Sequence, residues 1–143
     1  MKIAEIIRHK GDKVVTIRSD STVCDLLALL DEHRIGAVVV SDDDGQSVGG
    51  IVSERDIVRH LHSRGAEVLD GPVSAIMTRE VFTCTHDLQV AELEHTMTER
   101  RIRHVPVVEE GRLRAIVSIG DVVKRRIMDL QSERDQLVGY INQ

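Results

Sequence analysis

The sequence predicts an α+β protein in which two tandem β-α-β-β-α repeats form one pseudo-two-fold module. Three observations predict it. The second half lays over the first motif for motif at an offset of roughly 65 to 67 residues, the mark of an internal duplication. Within each half the hydrophobic period changes in the same order, from alternating to helical and back. The apolar residues are almost all aliphatic, since Phe82 and Tyr140 are the only aromatic residues.

The elements follow in order. Ile3, Ile6 and Ile7 have helical spacing and form a lead-in helix, matched by Val73, Ile76 and Met77 ahead of the second repeat. Val14 to Ile17 is a short β-branched strand, and Ser19 to Thr22 supply cap residues. Val23, Leu26, Leu27 and Leu30 stand at i, i+3, i+4 and i+7, one apolar face of a helix lying on a sheet. Ala37 to Val40 and Val48 to Val52 form two strands, joined through the polar turn Ser41-Asp42-Asp43-Asp44-Gly45. A second helix begins near Glu54, with Ile57, Val58 and Leu61 as its buried stripe.

The second repeat runs through Val81 to Cys84, Val90 to Arg100, His104 to Val108, Leu113 to Val117 and a final helix from Gly120. The expected division is residues 1–65 for repeat one with its lead-in helix, 66–131 for repeat two after a short linker, and 132–143 for a C-terminal helical extension. Ser63 to Pro72 reads as the linker, broken by Gly65, Gly71 and Pro72. Each repeat alone is of marginal size, so the halves should share an interface. In the last helix Val123, Ile127, Leu130, Leu137 and Ile141 approximate a heptad seam interrupted at Arg134. That seam either receives a second subunit, giving a homodimer, or folds back on its own chain.

Composition excludes several function classes. A net charge of −5 and the scarcity of aromatic rings argue against nucleic acid as a partner. Cys24 and Cys84 form neither a C-x-x-C pair nor a disulfide framework; both read as buried small hydrophobes in a reducing compartment. Residues 1–11 hold no apolar stretch of signal-peptide length and no run is long enough to span a bilayer, so a cytoplasmic protein with no membrane partner is expected. His60 and His62, two apart on a helix, point to different faces and cannot chelate together, and no metal site is expected. With no nucleophile elbow, Walker loop or G-x-G-x-x-G, no catalytic residue is assigned and an enzyme is not expected.

Gly50-Ile51-Val52-Ser53-Glu54-Arg55-Asp56, Ile116-Val117-Ser118-Ile119-Gly120-Asp121 and Arg101-Ile102-Arg103-His104-Val105-Pro106-Val107-Val108, set in the repeated β-α-β-β-α order, resemble the CBS domain, named for cystathionine β-synthase. The resemblance covers nearly the whole chain. It implies a free-standing pair with two clefts between the repeats, where family members bind AMP, ATP, NAD-like dinucleotides or S-adenosylmethionine, and pairing into a flat disc. AMP, ATP or NAD(H) are the expected ligands here, ahead of S-adenosylmethionine. Two departures bear on the clefts: Val39 stands where the family often has the proline seen here as Pro106, and Ala115 stands in place of Gly50.

The site residues follow from strand-to-helix junctions, whose free backbone N–H groups attract phosphate. Asp56 and Asp121 can accept the two hydroxyls of a ribose, and Ser53 and Ser118 can contact sugar or phosphate. S-x-x-D is equally a capping box, in which both residues serve the helix. Arg55 opposes its helix dipole unless a phosphate is bound, or is simply a solvated surface arginine. Arg103 and His104 either meet phosphate oxygens or lie exposed at a strand's entry. Adenine is expected between the aliphatic surfaces of Ile17, Val38, Ile51, Val105 and Ile116. Gly36-Ala37 and Gly120 replace the basic groups in turn, so the two clefts should be inequivalent. The function expected is a sensor that binds an adenosine nucleotide and signals through an unidentified effector protein or its own oligomer. The alternative is an interaction scaffold with empty clefts.

Overall fold

The structure is a computed structural model that describes residues 1–11 and 13–143. Its elements are α1 (Ile3–Lys10), β1 (Thr16–Ile17), α2 (Val23–His33), β2 (Ala37–Val40), β3 (Gly50–Ser53), α3 (Glu54–Arg64), α4 (Val90–Arg100), β4 (His104–Glu109), β5 (Arg112–Ser118) and α5 (Ile119–Ile141). Two 3-10 turns, Ala66–Asp70 and Val73–Ala75, occupy the connection between the repeats. The mixed helix-and-strand order is the predicted α+β duplication.

In repeat one the sheet order is β1-β2-β3, parallel then antiparallel. In repeat two β4 and β5 pair antiparallel, and the strand expected over Val81 to Cys84 shrinks to one parallel bridge, Cys84 to Val107. The reason lies in Pro106. Val39, its counterpart, pairs with Thr16, but proline has no N–H with which to extend such a ladder. Its carbonyl still accepts from the Cys84 amide at 3.0 Å. The β4–β5 turn is two residues, Glu110 and Gly111, both at positive φ (51° and 77°), the conformation of a tight hairpin that follows the strands' twist.

There are two cores, and the lead-ins cross between them. Ile3 and Ile6 of α1 pack with Cys84, Leu93, Met97, Val105 and Val117 of repeat two. Val68, Val73 and Ile76 pack with Val23, Leu26, Val38 and Val52 of repeat one. Isolated bridges tie the crossings down, Lys2 to Gln89 and Thr22 to Pro72. The second lead-in is not a full helix as its spacing implied. It ends as a 3-10 turn because Thr78 leaves it to bridge Ile51 antiparallel, with N–H to O distances of 2.9 and 2.8 Å.

Cys84 is buried, but Cys24 is exposed, contrary to expectation. On α2 the inward face is carried by Val23, Leu26 and Leu30, and one step from Val23 turns a side chain about 100° away from that face. α5 runs unbroken for 23 residues. Its seam does not fold back: Val123, Ile127, Leu130, Leu137 and Ile141 are all exposed, while Val122 alone is buried.

Candidate functional site

Both strand-to-helix junctions are built alike, and the cause is local. Ser53 and Ser118 have extended backbone and cap α3 and α5. Each serine Oγ accepts from the aspartate amide three residues on, at 3.3 Å for Asp56 and 3.2 Å for Asp121. Each aspartate Oδ2 accepts in return from the serine amide, at 2.9 Å in both repeats. The capping box is therefore complete twice over, satisfying amides that the helix start leaves unpaired. Capping uses one carboxylate oxygen. Asp56 is buried, yet its Oδ1 takes no hydrogen bond from any described residue and remains available to a ligand.

Around Asp56 opens a cleft of about 740 Å³, within the range of about 300–1,000 Å³ typical of ligand pockets. Besides Ala37 of β2 and Val58 of α3, its walls come from three places. The β3–α3 junction supplies Ile51, Ser53, Glu54, Arg55 and Asp56; the end of the second lead-in supplies Thr78, Glu80, Val81 and Phe82; the α4–β4 turn supplies Arg101, Ile102, Arg103 and His104. Arg55, Arg101 and Arg103 all line this one opening, and arginine is the residue type suited to phosphate. Burial, and after it the charge of Lys10, hold the His104 imidazole below its ordinary range against the pull of Asp121 and Glu54. The ring is thus neutral at pH 7 and offers one N–H donor.

Of the apolar residues expected to sandwich adenine, Ile51 lines this cleft. Ile17, Val38 and Val105 do not: Ile17 and Val38 point into the core of repeat one and Val105 into that of repeat two. The correction follows from strand alternation. On β2 the cleft-facing residue is Ala37, not Val38; on β4 it is His104, not Val105. Ile116, Ser118 and Asp121 stand together at the other junction.

That second junction is different. The Lys10 ammonium donates to Asp121 Oδ2 and to the Ile116 carbonyl, each at 2.7 Å. Burial raises the Asp121 carboxyl, but hydrogen bonds from Lys10 and Ser118 outweigh it and hold the group below its ordinary value. On the α1 side of Asp121 lies a separate groove of about 180 Å³ between α1 and α5, lined by Ile6, His9, Lys10, Lys124, Arg125 and Met128.

Sequence reasoning missed several residues. Arg101 was traceable, since it repeats Arg34, and both end a helix in the left-handed conformation with φ of 54° and 53°. Phe82 reaches the cleft because Pro106 cuts its strand short, and the Arg100 guanidinium stacks over its ring at 4.8 Å from the centroid. Lys10 has no matching lysine in the other repeat to draw attention to it.

The two-fold repetition of this junction, with both lead-ins crossing, coincides with a match of the CBS domain model to residues 3–63 and 73–127. The chain belongs to the CBS domain family. Among relatives, this CBS pair is 33% identical over 146 residues to the CBS domain-containing protein CBSX3, mitochondrial, of Arabidopsis thaliana, covering 97% of this chain and 71% of the relative. A CBS-domain-containing protein of Agrobacterium tumefaciens superposes with a TM-score of 0.84 at 44% identity, covering 88% of this chain and 99% of that one. The CBS domain pair of protein MJ0100, solved in complex with 5'-methylthioadenosine and S-adenosyl-L-methionine, superposes with a TM-score of 0.76 at 25% identity, over 87% of this chain and 98% of that one. No helix of this CBS pair, among the described residues, is long and apolar enough to cross a membrane.

Proposed function

We propose that this CBS pair is a regulatory module that binds an adenosine nucleotide, AMP, ATP or NAD(H), in the cleft at Asp56 and passes the change in occupancy to a partner or to its own oligomer. The observation that carries this reading is that Asp56, whose Oδ1 has no hydrogen-bond partner among the described residues, lines a 740 Å³ cleft that Arg55, Arg101 and Arg103 also line. One carboxylate oxygen serves the helix while the other is presented to a sugar's hydroxyls, and cations stand by for the phosphates. The complex formed by the MJ0100 pair supports the adenosine class of ligand. The proposed role is regulatory: the carboxylate oxygen that the Ser53 hydroxyl meets, Asp56 Oδ2 at 3.1 Å, is the one engaged in the helix cap.

The exposed seam of α5 supports a homodimer in this proposal. Val123, Ile127, Leu130, Leu137 and Ile141 present an apolar stripe at coiled-coil spacing, which a second copy of α5 would cover. The free thiols of Cys24 and Cys84 support a reducing, cytoplasmic setting.

Calorimetric titration of ligand-free protein with AMP, ATP, NAD, NADH and S-adenosylmethionine tests the reading. Asp56→Asn keeps an oxygen for the cap but turns the open acceptor into a donor, and should weaken binding roughly 10- to 100-fold, the worth of a charge-assisted bond. Absence of heat with every compound would leave only the scaffold reading.

A further inference from the structure

α5 is longer than the repeat it closes. The match to the CBS domain ends at residue 127, whereas the helix runs on to Ile141. Along it one line of residues steps by four and three in turn: Val123, Ile127, Leu130, Arg134, Leu137 and Ile141. That alternation is the seam of a two-stranded coiled coil. The five apolar members are 49% to 77% exposed, so the described residues of their own chain leave them uncovered. The sixth, Arg134, has a side chain 69% exposed and reaches only its neighbour Asp135, at 3.2 Å. Four of the six positions lie beyond the matched domain, which makes the seam a feature of this chain.

We infer that this face receives the α5 of a second copy running antiparallel, with the pair centred on residue 132. The inference rests on the homodimer proposed above, not on nucleotide binding, and goes beyond it by fixing direction and register. Arg134 decides the direction. In a parallel pair in register it would meet its own copy in the same layer, two like charges in an apolar seam. In the antiparallel pair it faces the partner's Leu130, so its stem covers that leucine while its guanidinium reaches water. The same register sets Val123 against the partner's Ile141 and Ile127 against the partner's Leu137, and no seam residue is left over. The helix ends agree. The last turn of α5 holds no basic residue, although its carbonyls form the negative end of the helix dipole. Running antiparallel brings the partner's Lys124 beside that turn; a parallel pair brings no cation there.

The test is equilibrium sedimentation of the full chain, wild type beside variants at exposed seam positions. Wild type should be a dimer. Leu137→Glu sets a carboxylate against the partner's Ile127 and should weaken the dimer roughly 10- to 100-fold. Leu130→Glu should keep it, because the antiparallel register puts the new carboxylate opposite the partner's Arg134; adding Arg134→Glu to Leu130→Glu should then split it. A monomeric wild type overturns the inference and the homodimer reading together. A dimer that Leu137→Glu leaves untouched overturns α5 as the surface. If Leu130→Glu dissociates as readily as Leu137→Glu, α5 is the surface but the antiparallel register is overturned. A distance measurement on the intact dimer stands beside these. Spin labels attached through Asn142→Cys, in a Cys24→Ser background, should lie roughly 30 Å apart, whereas a parallel pair would hold them within about 20 Å, and that shorter distance overturns the inference.

Discussion

Gly50 lies so close to Thr78 that a β-carbon on it would fall 2.9 Å from the Thr78 carbonyl oxygen and 2.9 Å from the Met77 sulfur. The glycine is needed because the second lead-in pairs backbone to backbone with β3 at that point. Repeat two tolerates Ala115 at the matching position because a lysine side chain, not a strand, reaches its Ile116. The Gly-to-Ala difference between the repeats is thus explained by how each lead-in arrives.

Gly50→Ala should destabilise the protein by about 1–3 kcal/mol through overpacking against backbone that cannot swing away. Chemical denaturation checks the magnitude. The bridge between Ile51 and Thr78 should also loosen, read as faster amide exchange at those two residues.

The twin caps should behave alike in stability. Ser53→Ala and Ser118→Ala each remove the acceptor for an aspartate amide and should each cost about 1 kcal/mol. They should differ in binding at the Asp56 cleft: Ser53→Ala weakens nucleotide affinity there, whereas Ser118→Ala leaves it unchanged. Paired denaturation and titration curves decide.

His104 predicts an acid limb in stability. Its folded pKa lies below the ordinary 6.5, so the unfolded chain takes up the proton first. The stabilisation is whole above pH 6.5 and is lost as pH falls from there through the folded value. His104→Gln should flatten that limb in melting temperatures measured between pH 7.5 and 5. A phosphate beside the ring would favour the imidazolium, so nucleotide binding to wild type should take up protons and tighten as pH drops towards 6.

The two thiols should react at different rates. Burial, with a smaller push from Glu109, raises the Cys84 thiol to about 11, whereas Cys24 is exposed. A thiolate-specific reagent at pH 8 should titrate one group per native chain and a second only after unfolding.

Much of the fold was legible because short-range rules determine it. The Val90–Arg100 helix appears with its predicted bounds, and the Ser-x-x-Asp junctions appear as caps. The residues that escaped did so for physical reasons. β2 is buried on both faces, so alternation cannot tell Val38 from Ala37 by hydrophobicity. The spacing of Ile3 and Ile6 reveals an apolar face but not which core it enters, since either half offers one. At the site, Ser53, Arg55, Asp56, Arg103 and His104 do converge on one cleft. The engagement of Asp121 by Lys10 depends on a contact more than a hundred residues apart along the chain, which no local pattern encodes.

The crossing of the lead-ins makes the two halves a clasp. A protease that cut the connection near Gly65 would release two pieces, each lacking part of its interior, and they should stay together until denaturant parts them. Exchange of one half with a homologue would succeed only if the newcomer's first turns also fit a stranger's interior. Such a module is inherited whole.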